Sequence, residues 1–91
     1  MTRRVWREVV PVDDEPHELA LSGPIVHVGS RRIDEVEVWF EHKAGHVPVL
    51  HDVRVFGTGH AVPDGARHLG TAIEPSGALV WHLYSLRGEG S

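Results

Sequence analysis

The residues best placed to do chemistry form a glycine-broken corner directly behind a strand-forming run: Gly57, Thr58, Gly59 and His60. Glycine adopts positive φ without steric cost and lets a ligand or another backbone come close. Backbone N–H groups at such a corner can bind a phosphate or carboxylate, with the Thr58 hydroxyl and the His60 ring adding hydrogen bonds. On this interpretation, with Arg54 or Arg67 supplying positive charge, the corner would bind a small anionic ligand of nucleotide type.

The same glycines have a structural interpretation, which is a β-bulge or corner that redirects the strand. No helix pattern follows residue 60, so neither a P-loop nor a dinucleotide-binding fingerprint applies. Both interpretations stay open at this point.

Histidine is over-represented, with eight copies in 91 residues, and could ligate a metal. His42, His46 and His51 are four and five residues apart, as ligands are in zinc sites. Gly45 and Pro48 argue against a helix there. Loop and edge histidines are therefore the favoured interpretation, and neither a metal nor a cofactor is predicted.

Asp13, Asp14 and His17 could also bind a metal or act as acid and base. They surround a proline, in a segment where Asp commonly satisfies turn backbone groups. The serines lie in no nucleophile elbow or triad signature, and the chain has no cysteine. We assign no catalytic residue, and the pattern favours a binding protein over an enzyme.

The elements that position these residues are predicted to be strands. No window of a dozen residues is both free of Gly and Pro and periodic at 3.6 residues. Short runs rich in Val, Ile, Trp and Phe recur about every ten residues between Gly/Pro turns, which predicts an all-β antiparallel sandwich or barrel. The seven predicted strands cover residues 4–10, 17–21, 25–30, 35–42, 51–56, 69–74 and 78–86. They form one domain, residues 1–87, followed by a flexible tail, residues 88–91.

The last predicted strand is apolar on both faces, with Trp81 and Leu83 on one and Val80, His82 and Tyr84 on the other. Such a strand is central in its sheet or is covered by another subunit, and we favour a subunit contact. Trp39 lies on the acidic face of the fourth strand, which fits either an interface anchor or local packing under a loop. The predicted interface residues are Trp39, Val80, His82 and Tyr84.

Composition limits the partners. The net charge is −4 and the pI is about 6, without the basic stripe of a nucleic-acid binder, so nucleic acid is a disfavoured partner. No apolar run reaches the roughly 20 residues that span a bilayer, and no leader pattern is visible, so we expect a cytoplasmic protein without a membrane partner. A chain of this length has a thin core, which favours self-association.

Several segments resemble a family of small uncharacterised proteins from phages and actinobacteria, known as a domain of unknown function. The segments are V-V-P-V-D-D at 9–14, L-S-G-P-I-V-H-V at 21–28, E-V-W at 37–39, R-V-F-G-T-G-H at 54–60, G-T-A at 70–72 and G-A-L-V-W-H at 77–82. The resemblance implies an all-β domain in a phage or mobile-element setting, hence the host cytoplasm, and it implies no activity.

We therefore predict a non-enzymatic accessory protein that acts as a homo-oligomeric binding module, with itself or a host protein as partner. One alternative is a small-ligand protein that binds or sequesters a nucleotide at the glycine corner. Another alternative is a metal-dependent enzyme with histidine ligands.

Overall fold

The computed structural model describes residues 2–86 of the chain. Within them lie seven strands and no helix: β1 (Arg3–Pro11), β2 (His17–Leu21), β3 (Ile25–Arg32), β4 (Glu35–Lys43), β5 (Val49–Gly57), β6 (Arg67–Ile73) and β7 (Val80–Ser85). The all-β prediction is confirmed. The predicted tail, residues 88–91, and both ends of the predicted domain lie outside the described residues.

The strands form two antiparallel sheets that pack as a sandwich. The first sheet has the order β1-β4-β3 and the second has the order β2-β5-β7-β6. The predicted hairpin of the last two strands is present, because β6 pairs with β7 in antiparallel register. Strand β7 lies between β5 and β6, so its apolar character on both faces agrees with a central strand.

Successive side chains of a strand point to opposite faces, and one face of each sheet forms the core. In β4, Val36, Val38 and Phe40 are buried and point between the sheets. In β5, Val53 and Val55 do the same from the opposite sheet, so Arg54 and Phe56 lie on its outer face. The remaining buried apolar side chains of the core are Val10, Val28, Leu19, Leu21, Ala72 and Leu83.

The two sheets are in close contact where β3 packs against β6. A Cβ on Gly70 would lie 2.2 Å from Cγ2 of Val28, so only glycine fits beside this buried valine. At another point the Trp81 indole N–H donates to the Ile33 carbonyl at 3.2 Å. This hydrogen bond ties β7 to the β3–β4 turn and holds the two layers in register.

The β6–β7 turn is longer than predicted. The strands end at Ile73 and resume at Val80, whereas the sequence predicted strand as far as residue 74 and again from residue 78. The cause is Glu74, a buried side chain whose carboxylate accepts hydrogen bonds from the backbone N–H groups of Ser76, Ala78 and Leu79. These bonds satisfy turn donors that a strand ladder would otherwise need.

Candidate functional site

The glycine corner is a tight turn at the end of β5. The His60 N–H donates to the Gly57 carbonyl at 3.1 Å, and the Gly57 N–H donates to Nδ1 of His60 at 3.2 Å. Gly59 has a φ of +90°, a conformation that L side chains rarely adopt. A Cβ on Gly57 would lie 3.0 Å from the His60 ring. The corner therefore redirects the chain, and it uses one of the N–H groups predicted to contact a ligand.

These bonds fix the tautomer of His60. Because Nδ1 accepts the Gly57 N–H, the neutral ring carries its proton on Nε2. Among the described residues, that second nitrogen has no hydrogen-bond partner. His60 therefore offers a free donor at the corner.

Next to the corner, two threonines and two histidines form a continuous chain of hydrogen bonds. Thr58 Oγ1 lies 2.9 Å from Nε2 of His82, and Thr71 Oγ1 lies 3.0 Å from its Nδ1. Thr71 Oγ1 also lies 2.8 Å from Nε2 of His68. Strand pairing produces this arrangement, since Thr71 is directly opposite His82 in the β6–β7 register.

The chain of bonds couples the two histidines. Thr71 has one hydroxyl proton, so it can donate to only one of the two rings and must accept from the other or leave it unsatisfied. If the proton of His82 moves from one ring nitrogen to the other, the hydrogen bond between Thr71 and His82 therefore reverses, and the Thr71 hydroxyl changes between donor and acceptor. Both nitrogens of His82 are occupied by hydroxyls, which holds its ring rigidly on the sheet surface.

Aromatic rings form the floor of this surface. Phe56 is only 2% exposed although it points to the outer face of the sheet. The edge of Tyr84 packs on it at 5.6 Å and 88°, and the Arg54 guanidinium lies 4.8 Å from its ring centroid. Nε of Arg54 is buried and has no hydrogen-bond partner within residues 2–86.

A corner pocket of about 180 Å³ opens above this floor and is lined by Thr58, His60, Val62, His82 and Tyr84. Both glycines of the corner complete its wall, whereas Arg54 does not line it. The structure thus brings together the predicted ligand residues, Gly57 to His60, and two of the predicted interface residues, His82 and Tyr84. Val80 lies farther along β7, opposite Ile73.

Trp39 lies on the outer face of the other sheet. The guanidinium groups of Arg7 and Arg31 lie 5.8 and 5.7 Å from the centroid of its ring. Because β4 alternates, Trp39 faces away from the core and from β7, so the four predicted interface residues do not form one patch. Trp39 packs beneath arginines rather than beneath a loop.

Beside Trp39 lies a buried carboxylate that sequence reasoning missed. Glu37 has a side chain only 6% exposed; Arg31 donates to it from Nε at 2.8 Å and from Nη2 at 2.7 Å, and Arg7 donates as well. The Arg31 hydrogen bonds, with support from Arg7, lower the pKa of Glu37 to about 2. The one signal in the sequence was that Glu37 lies on the same face of the predicted strand as Trp39. That signal did not indicate which arginines would pair with Glu37.

The other predicted polar clusters serve local structure. His17 Nε2 lies 2.9 Å from Asp13, whose carboxylate also accepts the Glu15 N–H at 3.1 Å. The ring of His42 stacks on Trp6 at 3.6 Å. Within residues 2–86, no three His, Asp or Glu side chains converge in a way that could hold a metal ion.

A second cavity, which the sequence did not predict, opens at one end of the sandwich. It has a volume of about 330 Å³ and is lined by Leu21, Ile25, His51, Arg67 and Leu69 among others. Burial, together with the charge of Arg67, lowers the pKa of His51, so its ring favours the neutral form there. Residues 2–86 contain no helix that is long and apolar enough to cross a membrane.

A family model described as "Domain of unknown function (DUF7352)" matches residues 1–91. No curated protein and no solved structure matches the chain. The family description states no activity, so the geometry of the corner pocket and of the outer faces is the basis for assigning a function.

Proposed function

This chain belongs to the family Domain of unknown function (DUF7352), and we propose that it acts as a non-enzymatic binding module that recognises its partner through the corner pocket. One observation carries this proposal. The residues that line the pocket include donors, at Thr58, His60 and Tyr84, and include no acidic side chain. Such a lining favours a ligand group that accepts hydrogen bonds and carries negative charge.

The volume of the corner pocket limits which ligands it can hold. Pockets for drug-sized ligands have volumes of roughly 300–1,000 Å³, and the corner pocket has about 180 Å³. One carboxylate or phosphate group fits that space, and a whole nucleotide does not. We therefore propose that the occupant is an acidic side chain of a partner protein, bound on the surface of β7.

A free nucleotide-type ligand is the second candidate. It would place only its phosphate in the corner pocket, with the rest of the molecule over the exposed surface beside it. The buried Nε of Arg54, which has no hydrogen-bond partner within residues 2–86, supports a nearby negative charge. The third hypothesis, a histidine-ligated metal enzyme, gains no supporting ligand set from residues 2–86.

Self-association is part of the proposal. The apolar end of β7 supports a contact there, because Val80 lies opposite Ile73, which is 63% exposed. We also propose a cytoplasmic setting in a phage or mobile element, which rests on the resemblance of segments 54–60 and 77–82.

The corner pocket is tested by titrating isotope-labelled protein with acetate, inorganic phosphate and a panel of nucleotides while following backbone amide shifts. We expect acetate and phosphate to move the amides of residues 57–60, 82 and 84. His60→Ala and Tyr84→Phe should weaken this binding, and His46→Ala, an exposed histidine away from the pocket, should leave it unchanged.

Tighter binding of a nucleotide than of phosphate, with the same shifted amides, would favour the second candidate. Shifts that are absent, or that persist unchanged in His60→Ala and Tyr84→Phe, would reject the pocket as a recognition site.

A further inference from the structure

We propose that the free edge of β1 pairs antiparallel with β1 of a second copy of this chain, joining two three-stranded sheets into one sheet of six strands. The inference rests on the self-association part of the proposed function and assigns the contact to the β1 edge, as the alternative to the apolar end of β7. It is independent of the corner pocket, which lies on the other sheet.

The four sheet edges differ in how well they are protected. Edge strand β3 has register shifts between Ile25 and His27 and again between Gly29 and Arg32. Edge strand β6 has a register shift beside Gly70, and edge strand β2 has only five residues. Bulges and short strands are two of the devices by which proteins prevent edge-to-edge pairing; charged side chains and proline are others, and β1 carries both, with Pro11 at its end.

Strand β1 has no bulge and is not short. It runs for nine residues and pairs with β4 in one unbroken register, from Arg3 opposite Lys43 to Pro11 opposite Glu35. Its other side has no neighbouring strand within residues 2–86, so a row of N–H and C=O groups is left for pairing. A long and regular edge of this kind is a template for a further strand.

Several apolar side chains of β1 are exposed. Val5 is 59% exposed, Trp6 is 46% exposed and Val9 is 36% exposed, and only Val10 is buried. The ring of Trp6 is held in place by its stack on His42 at 3.6 Å. A second strand along this edge would cover apolar surface that the chain leaves open to water.

The charges on β1 identify the occupant as a second copy. Arg3 and Arg7 form ion pairs with glutamates of β4, whereas the side chains of Arg4 and Glu8 form no ion pair or hydrogen bond among the described residues. Arg4, Trp6 and Glu8 are two residues apart and therefore share one side of the strand.

A two-fold axis at Trp6 makes these side chains self-complementary. In antiparallel pairing about that axis, Arg4 lies opposite Glu8 of the partner subunit, and Trp6 lies opposite Trp6 of the partner subunit. The Arg4–Glu8 ion pair therefore forms twice, once on each side of the axis. A foreign strand of one charge sign would leave Arg4 or Glu8 opposite a like charge, which disfavours it.

The test is a charge exchange measured by sedimentation velocity over a concentration series. Wild-type protein should show a concentration-dependent dimer. Arg4→Glu and Glu8→Arg should each raise the dissociation constant roughly tenfold or more, because two like-charge pairs replace two opposite-charge pairs. Asp64→Arg, an exposed loop charge away from β1, should leave it unchanged.

Two combinations of these substitutions restore opposite charges across the contact. They show whether a single variant loses the dimer through its charge or because it folds poorly. Equal amounts of the two single variants should form a mixed dimer, and the double variant R4E/E8R should dimerise like wild type. A monomeric wild type at high micromolar concentration, or single variants that fail to dimerise together, would overturn the proposal. Dimers lost in Val80→Glu but kept in Arg4→Glu would place the contact on β7 and reject the β1 edge, and phosphate titration would still test the corner pocket.

Discussion

At the scale of single residues, buried carboxylates are the clearest departure from a simple apolar core. Glu37 is enclosed on a sheet face that no other layer of residues 2–86 covers, and Arg7 and Arg31 supply the cover together with the charge it needs. Burial of an unpaired carboxylate would cost free energy, so Glu37 can be buried here only because the two arginines pair with it. The cation–π contacts of both guanidinium groups with the Trp39 ring help to hold the cluster in one geometry.

Glu37 should make the fold sensitive to acid. Its pKa in the folded protein is about 2, below the ordinary 4.5, so the folded state binds fewer protons than the unfolded state between those values. Its contribution to stability is therefore complete above pH 4.5 and is lost as the pH falls towards 2. Urea unfolding from pH 7 to pH 2 should show a shallower loss of stability for Glu37→Gln than for wild type.

The matched control is Glu35→Gln, on the same face of β4, where the nearest arginine nitrogen is 3.6 Å away and both side chains are exposed. It should retain the wild-type slope. Some acid dependence should remain in Glu37→Gln, because hydrogen bonds from Ser76 lower the pKa of Glu74 as well. Equal slopes in wild type and Glu37→Gln would contradict the proposed role of the two arginines.

At the scale of elements, the contact between β3 and β6 limits how the sheets can pack. Val28 is buried, and its methyl groups occupy the space in which a Gly70 side chain would lie. Gly70 also adjoins the register shift of β6, which locally bends that strand. Glycine and the bulge together let the two layers approach at this edge.

Gly70→Ala should therefore destabilise the fold, by about 1–3 kcal/mol, as is typical of overpacking in a core. Chemical unfolding monitored by tryptophan fluorescence would measure the change. Gly65→Ala is the control, since a Cβ there meets nothing within 4 Å and its φ is not positive. Similar stabilities for the two variants would show that the layers can separate at β3 and β6 without cost.

At the scale of the whole molecule, the eight histidines make the net charge sensitive to pH near neutrality. Protonation of all eight rings would change the formal charge from −4 to +4. His68 and His82 have ring centroids 6.5 Å apart and share the Thr71 hydroxyl, so charging both creates repulsion on the face that carries the corner pocket. Burial and the charge of Arg67 lower the pKa of His51, so this ring should gain its proton at a lower pH than an ordinary imidazole.

We expect solubility or oligomeric state to change between about pH 7 and pH 5, where an ordinary imidazole titrates. Size-exclusion chromatography with light scattering at pH 7, 6 and 5 would record it. A charge-neutral double variant of the shared network, His68→Gln with His82→Gln, should show a smaller change than wild type. Constant mass and solubility across these pH values would contradict the prediction.

Local patterns in the chain were sufficient to predict the seven strands, their apolar faces and most turns. Alternation with period 2 and Gly/Pro punctuation act between residues that are close in sequence, so β2 was predicted with both ends correct and β4 within one residue. The extra length of the β6–β7 turn escaped prediction, because a glutamate that caps a turn has the same sequence pattern as one that ends a strand.

The order of the strands could not be predicted from those local patterns. The corner pocket and the β1 edge both depend on that order. Pairing of β1 with β4 brings Arg7 to Glu37 and leaves the opposite edge of β1 free, and pairing of β6 with β7 brings Thr71 to His82. Such contacts join residues 11 to 30 positions apart, through backbone hydrogen bonds that every strand can offer to every other. Those backbone bonds are nearly independent of the side chains, so the packing of the complete sandwich decides which strands pair. The same packing decides that Trp39 and β7 lie on opposite faces of the molecule.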